Sequence, residues 1–122
     1  MLNRRLFIEG LWACLFAKGG QTFELRLRSA PFPVAGKKYK DNRVYVVVPA
    51  GFRPTDGKVA MIVHFHGHQT RANAAMVEHE LREQLDESGR NAILVVPQLA
   101  DNARDSFAGK LEKRGGLARM LR

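Results

Sequence analysis

Between Thr22 and Arg28 the side chains alternate: Phe23, Leu25 and Leu27 fall on one side, Glu24, Arg26 and Arg28 on the other. A period of two over this stretch predicts a strand with one face in water. Ala30-Pro31-Phe32-Pro33 ends it, because proline donates nothing to a ladder. After a polar loop at Gly36–Asn42, Arg43–Val48 is β-branched and aromatic and predicts a second strand, stopped by Pro49. Gly51, Pro54 and Asp56-Gly57 supply turn chemistry. Val59–Phe65 is apolar at both parities, the signature of a central parallel strand, and Gly67 closes it. Ala74, Val77, Leu81 and Leu85 then recur at helical spacing, with Thr70 or Asn73 as the candidate cap and Gly89 as the stop. Asn91–Val96 is a further apolar strand ended by Pro97. Asp101–Lys113 is polar and irregular, Gly115-Gly116 is a break, and Leu117–Arg122 begins a helix.

The predicted order is strand, strand, strand, helix, strand, partial helix. Two apolar strands joined by an amphipathic helix make a βαβ unit with a right-handed crossover. The two earlier strands are expected as an antiparallel flank. The fold class is therefore α/β, with antiparallel N-terminal strands beside a mostly parallel sheet. Such a sheet needs helices on both faces, and one helix and a stub supply little cover. The expectation is a truncated fold whose uncovered sheet favours self-association.

Composition narrows this further. The chain has 122 residues and a formal net charge of +8, a length that suits one small domain or part of a larger one. Residues 1–58 hold 11 Lys and Arg against 4 Asp and Glu, net +7, while residues 59–122 hold 9 against 8, net +1. The basic front half is read as a targeting segment plus a solvated sheet edge, not as a nucleic-acid surface, because no aromatics interleave with the cations. No apolar run reaches the roughly 18 residues of a membrane span. The single cysteine, Cys14, excludes an intrachain disulfide.

Residues 1–20 have the layout of an export signal or, failing that, of an N-terminal helix. Asn3-Arg4-Arg5-Leu6-Phe7-Ile8 resembles the twin-arginine signal, with Glu9 as a departure inside the apolar stretch. The implied location is secreted or periplasmic, otherwise cytoplasmic. Leu11-Trp12-Ala13-Cys14 is a poor lipoprotein box because Trp12 is bulky.

The one dense cluster of chemistry-bearing residues is His64-Phe65-His66-Gly67-His68-Gln69-Thr70, at the carboxyl end of a buried strand, where open α/β sheets gather ligands. Val48-Pro49-Ala50-Gly51-Phe52, then the strand ending in His66-Gly67, then a helix and a strand ending in Val95-Val96-Pro97-Gln98, resembles the N-terminal half of an α/β-hydrolase. The nearest branch is that of secreted esterases and polyhydroxyalkanoate-depolymerase-like or feruloyl-esterase-like enzymes. The likeness covers residues 43–100, and more loosely 22–48. It implies an ester-hydrolase domain beginning at residue 21, acting on small or polymeric esters through a serine, with no metal or organic cofactor.

The role of the His66-Gly67 turn follows from the chemistry of acyl transfer. Attack on an ester carbonyl creates an oxyanion, and one pre-aimed N–H is worth about 2.7–4 kcal/mol to it. A glycine at a strand end lets backbone approach a ligand. In α/β-hydrolases this loop gives one N–H and the residue after the nucleophile gives the other. By resemblance the donor is the backbone N–H of His68, following Gly67, with Gln69 as the less favoured donor and the His66 imidazole fixing the loop. No G-x-S-x-G elbow is present. Ser29 lies at a strand exit, Ser88 closes a helix, and Ser106 lacks flanking glycines. The triad is therefore expected downstream, and these 122 residues alone are expected to be inactive.

Two other classes compete. One is a small non-catalytic α/β module that binds a partner through its uncovered sheet. The other is a metal-dependent hydrolase using His64 and His66, which alternate on an extended chain; imidazole suits zinc, although Gly67-His68-Gln69 stands where H-x-H-x-D-H requires an acid and a final histidine. His79 reads as a solvated or packed helix residue. The Asp101–Gly109 loop follows a strand at the same edge and either lines a cleft or merely connects. Neither GxGxxG nor GxxxxGK[ST] occurs.

Overall fold

The computed structural model describes residues 20–122. The proposed export segment lies outside them. Four strands form one sheet: β1 (Gln21–Arg26), β2 (Arg43–Val48), β3 (Ala60–Val63) and β4 (Ala92–Pro97), in the order β1-β2-β4-β3. β1 pairs with β2 antiparallel, with Phe23 opposite Val46. β2 pairs with β4 antiparallel and β3 with β4 parallel, with Ile62 opposite Leu94. The fold is a mixed α/β sheet. The antiparallel flank and the parallel βαβ pair arise as the patterning predicts.

The β-branched runs sort by parity. Val44, Val46, Val48, Ile93 and Val95 face one core, joined by Phe23, Leu25, Met61 and Val63. Tyr45, Val47, Leu94 and Val96 face the other. Each core has its own cover. On the first face lie Leu111 of a 3-10 turn (Gly109–Glu112) and Met120 of a short C-terminal helix, whose range is Gly116–Met120. On the second lie the crossover helices α1 (Ala72–Glu78) and α2 (Leu81–Ser88). The C-terminal segment read as an irregular stretch and a helical stub thus covers the first core.

Two expectations need correction. The run Val59–Phe65 is not central: β3 is short and, among the described residues, stands at the sheet edge, with Ile62 43% and Phe65 48% exposed. The central strands are β2 and β4, buried throughout but for Arg43. Apolarity at both parities reports two potential packing faces, not a neighbour on each side. The crossover is also two helices rather than one. His79 ends α1, and Glu80 takes a left-handed conformation, φ +47°, before α2 starts. That break shifts the helical phase, so Ala72, Ala75 and Met76 are buried in place of the Ala74–Val77 stripe, and Val77 is exposed. The N-cap of α1 is Arg71, in place of the expected Thr70 or Asn73, and its side chain makes no capping hydrogen bond.

A third, smaller core sits beyond the carboxyl ends of the strands. Phe32 is fully buried against Ala100 and Ala103, and its ring meets Tyr39 and Phe107 edge-on at 5.4 and 5.7 Å between centroids. It joins the loop after β1 to the loop after β4.

Candidate functional site

β3 and β4 run parallel, so their carboxyl ends deliver His66 and Gln98 to the same edge. Beyond that edge is a cleft of about 300 Å3, bordered by His66, Gly67, His68, Leu99, Ala103 and Asp105, with Ser106 and Phe107 on its wall. The Asp101–Gly109 loop therefore lines a cleft.

His66 is 6% exposed and Gln98 1%. The Leu99 N–H donates to His66 Nε2 at 2.9 Å, and Gln98 Nε2 lies 3.1 Å from the same nitrogen. A backbone N–H only donates, so Nε2 carries the lone pair and the proton sits on Nδ1. From there it donates to the Gly67 carbonyl at 3.1 Å. Burial pushes the His66 imidazolium below its ordinary range, against the opposing pull of the Gly67 carbonyl. His66 is a neutral ring that ties the turn after β3 to the turn after β4.

Gln98 extends the tie to the crossover. Its Oε1 accepts the Ala72 N–H at 3.0 Å, and its Nε2 donates to the Leu99 carbonyl at 3.1 Å. The first free N–H of α1 is thus satisfied by a side chain 26 residues away in sequence. The sequence marked Gln98 only as part of a strand end; its signal was a polar residue directly following the apolar run of β4.

The turn itself divides its amides. Gln69 has φ +56°, and its N–H donates to the Ala103 carbonyl at 3.0 Å. The Asn102 N–H donates to the Thr70 carbonyl at 3.0 Å. Gln69 is therefore occupied in joining the two loops. No hydrogen bond engages the His68 N–H among the described residues. Gly67 is exposed, its φ lies outside the left-handed region, and a methyl group there would meet no atom within 4 Å.

The far wall is held from the N-terminal side. Tyr39 Oη donates to Asp105 Oδ2, and the Phe107 N–H donates to Asp105 Oδ1 at 3.1 Å. The Tyr39 hydrogen bond holds the Asp105 carboxyl below its usual range, and the same bond raises the Tyr39 phenol. Arg71 and Asp101 pair across the outside of the loop, both well exposed, a contact of small energetic weight. Ser106 lines the cleft, but no histidine accepts its hydroxyl among the described residues.

The metal alternative finds no support in the ligand geometry. Both nitrogens of His66 are engaged in hydrogen bonds, and no group of three or more His, Cys, Asp or Glu gathers among the described residues. His64 instead faces His79, with ring centroids 6.1 Å apart. No helix among the described residues is long and apolar enough to cross a membrane. In comparisons with known proteins, no family model, no curated protein and no solved structure matches this chain.

Proposed function

We propose that this chain contributes the first strands and half of the oxyanion site of a serine ester hydrolase of the α/β-hydrolase type. One observation carries the reading: the turn after β3 is clamped by a neutral, buried His66, borders a cleft, and leaves the His68 N–H without a partner while engaging that of Gln69. An unengaged donor on a rigid turn costs no reorganisation when charge develops beside it. The parallel β3–β4 pair is the strand arrangement that such a loop needs.

In this mechanism a serine hydroxyl attacks the ester carbonyl, its proton passing to a histidine base. The carbonyl oxygen becomes an oxyanion, accepts from the His68 N–H, and then re-forms the carbonyl as the alcohol leaves. Water repeats the sequence on the acyl-enzyme. His66 acts on the loop, not on the substrate. Open space at Gly67 lets the acyl group approach the backbone. No G-x-S-x-G occurs in these residues, so the reading takes the nucleophile, and with it the base, from outside them.

Two measurements test this. Purified protein should give no saturable turnover of p-nitrophenyl acetate; turnover abolished by a serine-reactive phosphonate would place the chemistry within this chain and overturn the division of labour. A reading frame that continues past Arg122 to a G-x-S-x-G elbow supports the proposal. A stop codon at that point with a stable monomeric product sinks it in favour of a non-catalytic module.

A further inference from the structure

The C-terminal segment meets the loop after β1 backbone to backbone. The Lys110 N–H donates to the Pro31 carbonyl at 2.9 Å, and the Lys110 ammonium donates to the Arg28 carbonyl at 3.0 Å. A methyl group at Gly109 would lie 2.2 Å from the Pro31 oxygen, and one at Gly116 2.0 Å from the Lys110 oxygen. Contacts this close fix the segments relative to each other.

Beside them is a groove of about 330 Å3, lined by Arg28, Ser29, Lys110, Lys113, Gly116 and Arg119. Four of these six are cations and none is an acid. The ion pairs formed among the described residues all lie elsewhere, joining Arg26 and Arg43 to Glu24, Arg43 to Asp41, and Arg71 to Asp101. The nearest acid in sequence, Glu112, turns one carboxylate oxygen to the Ala108 N–H at 3.0 Å.

We propose that this groove binds a multiply charged oxyanion, a phosphate or sulfate group, free or carried on a small molecule. Four cations lining one groove raise the local positive potential, and a polyvalent anion relieves their mutual repulsion. Guanidinium groups grip such anions through paired N–H donors, ammonium groups act as point charges, and the Ser29 hydroxyl adds a neutral donor. The volume is that of a small-molecule site. No aromatic side chain lines it, so bases would find nothing to stack on, which favours a small oxyanion over a single-stranded nucleic acid. The groove is lined by none of the cleft residues, and the proposal stands independently of the ester-hydrolase reading.

Calorimetric titration of the full chain with inorganic pyrophosphate, at fixed ionic strength against a sodium chloride control, tests it. The expected result is saturable one-to-one binding, weakened at least about tenfold in Arg28→Gln/Arg119→Gln. The control Arg82→Gln/Arg90→Gln removes the same charge from the exposed crossover side and should leave affinity within about twofold. Circular dichroism checks each fold, and Lys113→Gln at an exposed position serves if the first pair fails to fold. Sulfate and phenyl phosphate, titrated in the same way, separate a free oxyanion from an esterified one. Silence with all three anions, or equal weakening by both double variants, overturns the proposal.

Discussion

A buried imidazole that accepts from one backbone amide and donates to one carbonyl has no room for a second proton. At His66 the acceptor nitrogen faces the Leu99 N–H, so protonation would set two donors against each other. Its folded-state pKa lies below the ordinary histidine value of about 6.5. The unfolded chain therefore takes up the proton first, and stability is kept above that pH and lost as pH falls below it. Urea midpoints between pH 7.5 and 5 should fall with acidity, and fall less steeply in His66→Gln. Glycines provide a second contrast. Gly67→Ala places its methyl in open space at an ordinary φ and should leave stability unchanged or raise it by up to about 1 kcal/mol. Gly109→Ala meets both a left-handed φ of +61° and the Pro31 oxygen, and should lower stability by at least about 2 kcal/mol in the same assay. The His66-Gly67-His68 turn was legible in the sequence because glycine and histidine interrupt an apolar run. The partners of His66 were not, because Gln98 and Leu99 lie 32 and 33 residues on and meet it only when β3 and β4 align.

At the level of elements, α1 begins on a borrowed cap. Replacing Gln98 by Leu keeps the volume roughly but leaves the Ala72 N–H and the Leu99 carbonyl without their partner in a buried setting. The expected loss is about 2–4 kcal/mol, and amide exchange at Ala72 should accelerate before that of β4. β1, β2 and β4 were legible to within two residues at each end, since alternation and β-branched runs bounded by proline are strong local signals. The crossover was read as one helix because its polar residues fit a helical face on either side of His79. The left-handed Glu80 leaves no mark in composition, and the burial of Ala72, Ala75 and Met76 follows only from where α1 lands on the sheet.

At the scale of the sheet, the strand order leaves β3, among the described residues, with an unpaired edge and with Ile62 and Phe65 half exposed beside it. An apolar edge of this kind pairs with other chains unless it carries charge. Sedimentation of the wild type should show concentration-dependent association, and Ile62→Lys should shift it toward the monomer; a wild type that stays monomeric at high concentration contradicts this. Edge status could not be read from the sequence, because a strand's neighbours are a property of the sheet and not of the strand. The two-sided cover was likewise hidden: Met120 and Leu111 sit in a polar, glycine-broken tail and reach the core only when that tail folds back across β1 and β2.

The far wall of the cleft is bolted together by Tyr39 and Asp105, which stand 66 positions apart. That bond is exposed to water, whereas the strands beneath it are joined by ladders and buried side chains. The recess should therefore breathe more easily than the sheet, and amide exchange at Phe107, whose N–H rests on Asp105, should outpace that of β4.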